Sequence, residues 1–348
     1  MKISISLICG LFLCMGCSQP STLISPSVSP EKIAYSAIYI IHADADYLFH
    51  DENGQALQAD EKVLAEARKV GEQAKKGEVF IFHQKQETKI LWLFPRKDRL
   101  MLHYRNGELV TAGRYSPGKY GENIFEMETK LYSQNSTISD SASRVFLYFG
   151  HEIPEKGGEG YHQSQKNLVV NAETFSGGVN DFLNGRDDLF ELVVLSTCNN
   201  GNPQMAKLLH PFSSTLLASP QNLHLSHIDT EALLLLESDG EIAVGQLATT
   251  MAEQTFERLS TSIQTEISLF VYEMDKINGY LSEMDSLHQK HLKETDPKHF
   301  EENVDCADIS LFKDLDFSAG VTGWYRPAKF GRRAGSDSHS GWGCKPQS

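Results

Sequence analysis

The chain has 348 residues, 40% of them hydrophobic, enough to bury one large core or two modest ones without disulfide staples. Its formal charge of −14 leaves no basic surplus to neutralise phosphates, which excludes a general nucleic-acid binder. The charge is uneven: residues 320–348 carry Arg326, Lys329, Arg332, Arg333 and Lys345 against one acid, Asp337, and read as a solvated basic surface.

At the N-terminus, Lys2 precedes an apolar run from Ile3 to Met15, short for a bilayer-spanning helix and suited to an export signal. The run ends in Cys14-Met15-Gly16-Cys17, followed by Ser18, and resembles a bacterial lipoprotein signal in which Cys14 replaces the usual Leu. That resemblance implies a signal over residues 1–17 and a diacylglyceryl anchor on Cys17. With Ser18 next, it also implies placement in the cell envelope, at the outer membrane. Residues 18–32 read as a Ser- and Pro-rich flexible tether. With Cys9, Cys14 and Cys17 accounted for, Cys198, Cys306 and Cys344 remain. An exported chain with three thiols favours one disulfide, and Cys306 and Cys344 are the natural pair. Cys198 is then the odd thiol, either a small buried hydrophobe or a reactive group.

Beyond the tether, strands and helices alternate. Ile33 to Ile41 is a nearly continuous apolar run, as in a strand buried on both faces. Leu57, Val63, Leu64, Ala67, Val70 and Ala74 have helical spacing, with Gly77 as the expected stop. Glu78–His83, Ile90–Phe94, Arg99–Tyr104 and Glu108–Thr111 read as strands, the last two joined by the hairpin signal Asn106-Gly107. Arg144–Phe149, Leu189–Leu195 and Ser214–Ala218 are further strands, separated by helices over Asn171–Leu183 and from Asn202-Pro203. Two amphipathic segments, about 246–263 and 274–294, flank the apolar run Ile267–Tyr272. The alternation predicts an α/β fold with a mostly parallel sheet covered by helices on both faces. In such a sheet, functional groups collect at the carboxyl ends of the strands.

Two strand ends carry chemistry. "RVFLYFGHEIPE" delivers His151 past one strand, and "FELVVLSTCNNG" delivers Cys198 past the next. A nearby imidazole and the helix starting at Asn202 would both favour the thiolate, and backbone N–H groups would hold an oxyanion. His162, in the same glycine-rich loop, is the competing base. This arrangement resembles the clostripain-like cysteine peptidases of the caspase-like clan, where a His and, some fifty residues later, a Cys follow successive strands. "AIYIIHADADYLFHDENG", "STLLASPQNLHLSHID" and "ENVDCADISLF" resemble further segments of that family, so the likeness covers about residues 33–315.

The resemblance implies a three-layer caspase-like domain over 33–300, with 301–348 as an appendage pinned by Cys306–Cys344. It implies a Cys198–His151 dyad, with an oxyanion hole from the N–H groups of Glu152 and Cys198. Ser196, Ser219 and Asp229 become substrate-pocket candidates. Two departures stand out: Glu152 replaces the glycine expected after the His, and Ser196 stands where members cleaving after Arg or Lys carry Asp. The cluster His42, Asp44, Asp46, His50 and Asp51 offers oxygen and imidazole ligands, with Asp44 and Asp46 as the metal candidates, although its spacing does not match an EF-hand. A polar turn at the sheet edge explains the same residues. No cofactor is required for thiol acyl transfer, and calcium enters only through the resemblance.

The leading expectation is thus an envelope-anchored cysteine endopeptidase acting on a protein or peptide substrate. The alternatives are a non-catalytic caspase-like lipoprotein that binds a partner, and an acyl-hydrolysing enzyme using the same dyad.

Overall fold

The computed structural model describes residues 33–51, 53–90, 94–95, 97–117, 123–139, 142–185, 188–224, 227–238, 244–294, 303–330 and 337–344. The expected signal over residues 1–17 with Cys17, the expected tether up to residue 32, Arg332, Arg333 and Lys345 lie outside the described residues.

Nine strands build the central sheet: β1 (Tyr35–Ala43), β2 (Gly77–Lys85), β3 (Arg99–Arg105), β4 (Glu108–Tyr115), β5 (Ser143–Phe149), β6 (Leu192–Ser196), β7 (Thr215–Ala218), β8 (Ile267–Glu273) and β9 (Val321–Arg326). Their order is β9-β8-β7-β6-β5-β1-β2-β3-β4. The five central strands, β7 to β2, run parallel. β8 and β9 join antiparallel at one edge, and β3 and β4 at the other.

The helices are α1 (Ala59–Gln73), α2 (Glu126–Asn135), α3 (Ala172–Asp181), α4 (Pro203–Leu209), α5 (Val244–Ser262) and α6 (Met274–Glu294). Side chains alternate across a strand, so the apolar runs feed two cores at once. Along β1, Ile38 and Ile40 enter one core, while Ala37, Tyr39 and Ile41 enter the other. The first core takes Phe175 and Val179 of α3, Met205 of α4 and Leu281 of α6. The second takes Val63, Leu64, Ala67 and Val70 of α1 with Leu247 and Met251 of α5. The result is the α/β sheet with helices on both faces that the alternation predicts.

Several details depart from expectation. Gly77 does not stop α1, which ends at Gln73; it opens β2, where a side chain would strike the Tyr35 ring. Asn106 and Gly107 both take positive φ, as a tight hairpin between β3 and β4 requires. The expected strand Ile90–Phe94 is replaced by a two-residue ribbon pairing Lys89–Ile90 with Phe94–Pro95. Helix α2 has no apolar signature, because its buried positions include Glu128 and Thr129 as well as Tyr132. Glu128 is accommodated by Arg99 (2.9 Å), the Tyr115 hydroxyl (2.7 Å) and the Gln84 amide (2.8 Å).

The C-terminal segment contributes β9 to the sheet itself. Arg326 donates to the carbonyls of Ile263 and Thr265, and the exposed Lys329 to that of Ser260, so these two cations cap the end of α5. Cys306 and Cys344 are disulfide-bonded and fully buried. Their short ribbon, Val304–Asp305 with Gly343–Cys344, holds Trp342 against the rings of Tyr272 and Tyr280. The bond spans 38 residues. By loop-closure entropy, the double replacement Cys306→Ala/Cys344→Ala should cost about 4 kcal/mol in equilibrium denaturation. A loss under about 1 kcal/mol would show that the ribbon is held by packing alone.

Candidate active site

β5 and β6 are parallel neighbours with Phe149 opposite Ser196. His151 and Cys198 each lie two residues beyond those partners, so the register brings both to one level at the carboxyl edge. The two loops are then stitched together. Gly150 N–H donates to the Ser196 carbonyl (3.3 Å). The Asn200 side chain accepts from Ile153 N–H (3.0 Å), donates to the Ile153 carbonyl (2.9 Å) and accepts from the Thr197 hydroxyl (2.6 Å). Tyr161 adds a further link: its hydroxyl donates to the His151 carbonyl (2.9 Å). Burial raises the Tyr161 phenol well above its ordinary value, with Tyr148 and Tyr47 adding to the rise.

The imidazole of His151 is held from behind. Its ring stacks on Tyr47 at 4.2 Å and 15°, and its backbone N–H donates to the Tyr47 hydroxyl (2.9 Å). Because that hydroxyl accepts from His151, it can donate to Nδ1 of His42 (2.6 Å). His151 Nε2 lies 3.2 Å from the Asp46 carbonyl. A carbonyl can only accept, so Nε2 carries the proton and Nδ1 keeps its lone pair. Burial lowers the His151 pKa below the ordinary histidine value, partly offset by Asp46, which favours a neutral ring at neutral pH.

Cys198 is half-buried and free of disulfide bonding. Its thiol donates to the Leu223 carbonyl at 3.4 Å, on the loop after β7. The same loop approaches the next residue, because Asn199 N–H donates to the Gln221 carbonyl (2.9 Å). α4 follows immediately. Asn202 caps it by accepting from Met205 N–H (2.8 Å), and Pro203 occupies its first turn.

The remaining candidates divide. Glu152 follows His151, and its carboxylate accepts from the Asn199 amide (2.6 Å). Ser196 is buried and accepts from Ile228 N–H (2.9 Å), so its hydroxyl holds the loop rather than facing solvent. Ser219 is fully buried, bonded to the Gln221 carbonyl and the Ser268 hydroxyl, and reaches no open surface. Asp229 borders a cleft of about 450 Å3 with Glu66, Glu231, Leu235 and Gln254, but its carboxylate is paired with Arg258 (2.9 Å).

The acidic cluster after β1 is the shelf beneath His151. Asp44 is fully buried, accepts from Ser164 N–H and Oγ, and lies 3.4 Å from His162 Nδ1. Asp46 accepts from Leu48 N–H, and Asp51 from Asn53 and Gln55 N–H groups. His162 packs edge-on against His42 and is 1% exposed, so it backs the loop and does not compete with His151. Among the described residues, His and carboxylate atoms converge at Asp60, Glu61 and His83 and at Glu66, His227 and Asp229, and neither grouping includes Asp44 or Asp46. Both groupings are already engaged: His83 is hydrogen-bonded to Asp60 and His227 to Glu66, while Lys85 pairs with Glu61 and Arg258 with Asp229.

Three functional positions escaped sequence reading: Tyr47, Asn199 and Asn200. Their signal was weak, an aromatic in a polar turn and an Asn-Asn pair after the Cys.

No protein-family profile matches the chain, and no curated protein does. Solved structures resemble it at low identity. A secreted C11 cysteine protease from Bacteroides thetaiotaomicron, in complex with an irreversible peptide inhibitor, is 10% identical with TM-score 0.49, over 76% of this chain and 71% of that one. The inactive zymogen C11 protease from Parabacteroides distasonis is 10% identical with TM-score 0.47, over 78% and 70%. A second structure of a secreted Bacteroides thetaiotaomicron C11 protease, iotapain, is 11% identical with TM-score 0.48, over 77% and 74%. At these values the site must stand on its own geometry.

The buried histidines make stability pH-dependent. Burial lowers the pKa of His42, with His162 and Arg99 adding to the effect, and burial likewise lowers those of His103 and His162. The folded state therefore keeps them neutral while the unfolded chain takes up protons below about pH 6.5. Stability should be full above that pH and fall as pH drops toward 5. His42→Gln should reduce the slope by up to about 1.4 kcal/mol per pH unit in denaturant titrations. An unchanged slope would contradict a neutral, buried His42.

Proposed function

We propose that the chain is a cysteine endopeptidase in which Cys198 is the nucleophile and His151 its base. The observation that carries this reading is the in-register delivery of both residues past adjacent parallel strands, with the His151 tautomer set by the Asp46 carbonyl. Nδ1 of His151 takes the thiol proton, and the thiolate attacks the scissile carbonyl to form a tetrahedral intermediate. The N–H groups of Glu152 and Cys198 are the proposed oxyanion donors. The imidazolium then returns its proton to the leaving amine, and water, deprotonated by the same ring, hydrolyses the thioester. Before reaction the thiol must turn from the Leu223 carbonyl toward His151. A protein or peptide is the substrate class, in keeping with the peptide inhibitor bound to one of the similar structures.

No step needs a cofactor. The carboxylates of Asp44 and Asp46 have hydrogen-bonding partners within the shelf, which gives a calcium site there no support. Export and anchoring through Cys17 complete the proposal and rest on the N-terminal sequence alone; Cys17→Ala should move the protein from the membrane to the soluble fraction on cell fractionation, and an unchanged distribution would remove the anchor.

A partner-binding role without catalysis is the second reading. It is favoured by the resting bond from Cys198 to Leu223 and by Glu152 in place of glycine. Cys198→Ala decides between the two. It should lower hydrolysis of a peptide library by about 1000-fold or more, with folding retained. Equal hydrolysis by parent and variant would remove the peptidase reading. The acid limb of kcat/KM should lie below pH 6.5, since His151 titrates below its ordinary value.

A further inference from the structure

The glutamate that follows His151 is the least expected residue at the site, and its side chain reaches across to the other loop. Glu152 Oε2 accepts from Asn199 Nδ2 at 2.6 Å, one residue beyond Cys198. Asn199 is a hub. Its side-chain nitrogen also lies 3.3 Å from Asn222 Oδ1, its Oδ1 accepts from Asn303 (3.2 Å), its N–H donates to Gln221 and its carbonyl accepts from Asn202 (3.0 Å). Four segments therefore meet at this one residue: the His151 loop, the loop after β7, the C-terminal ribbon and the cap of α4. Its φ of 57° is left-handed, a conformation that asparagine tolerates better than other non-glycine residues.

We propose that Glu152 and Asn199 form a positioning clamp that sets where Cys198 sits relative to His151. This rests on the dyad proposed above and assigns Glu152 a second role, distinct from its N–H. A glycine after the His would remove this side-chain link and leave the bonds of Asn200 and of Gln204 with the Glu155 carbonyl. The glutamate adds a charge-assisted bond directly beside the nucleophile. Such bonds are shorter and stronger than neutral ones, and small errors of placement are costly where a proton must pass between two side chains. The clamp also links the site to the disulfide-tied ribbon, because Asn303 immediately precedes it and Gly343 N–H donates to the Gly201 carbonyl (2.9 Å).

The test reads the alkylation rate of Cys198 by iodoacetamide at pH 7, resolved by peptide mapping of the full chain. It is run alongside kcat, KM and the melting temperature. The parent should react faster than His151→Ala, because the imidazole raises the thiolate fraction. Glu152→Ala and Asn199→Ala should each slow alkylation about tenfold and lower kcat more than they change KM. Glu152→Gln, which keeps an acceptor, should restore most of the loss. The double Ala variant should be no slower than either single one. Four results would overturn the clamp: an unchanged rate in Glu152→Ala, a Gln variant as slow as the Ala variant, additive single effects, or slowing matched by a collapse in melting temperature. Unchanged alkylation with altered preference for Lys or Arg substrates would instead place the carboxylate in contact with substrate. Equal rates in the parent and His151→Ala would overturn the dyad and the clamp together, whereas a slow His151→Ala beside a fast Glu152→Ala overturns the clamp alone.

Discussion

The site depends on one constraint, the parallel pairing of β5 with β6 in the register that sets Phe149 opposite Ser196. A shift of one residue in β5 would exchange its two faces, sending Phe146 and Tyr148 away from the aromatic core they share with Phe125 and Phe175. Hydrophobic packing on both faces thus fixes the height at which His151 and Cys198 leave the sheet. Backbone and amide bonds then act over the last few residues only. Asn200 closes the gap between the two loops.

Around this frame lies a buried polar shelf. Asp44 holds Ser164 and His162, His42 meets Tyr47, and Tyr47 carries the ring of His151. Arg99 and Glu128 form an ion pair in the same layer, each nearly inaccessible to water. Buried groups of this kind are tolerated when their hydrogen bonds are supplied, and removing one partner leaves the other stranded. The shelf therefore fixes the orientation of the His151 ring, at the cost of making the fold sensitive to acid.

Apolar strands were legible because central parallel strands are buried on both faces and read as continuous runs, as in "AIYII" and "VFLYF". The disulfide was legible by elimination among few cysteines, and the strand-end His and Cys by position. Other features were not. α2 hides its inward face behind Glu128 and Thr129, and the burial of Glu128 depends on Arg99, Tyr115 and Gln84 from distant strands. "HADADY" suggests metal ligands because a list of donors cannot show that Ser164, 120 residues away from Asp44, has taken them. Ser219 looks like a loop hydroxyl, yet its partner Ser268 comes from a strand 49 residues further on. In each case a polar side chain was committed by a contact remote in sequence, which periodicity and spacing do not encode.

The central claim is that His151 activates Cys198 toward a peptide carbonyl. Its most direct test is the modification of Cys198 by a peptidyl electrophile, followed by mass spectrometry across a range of probe concentrations. The account predicts saturable labelling at Cys198 in the parent, lost in His151→Ala while that variant remains folded. Labelling that rises linearly with probe and is equal in the two proteins would contradict it.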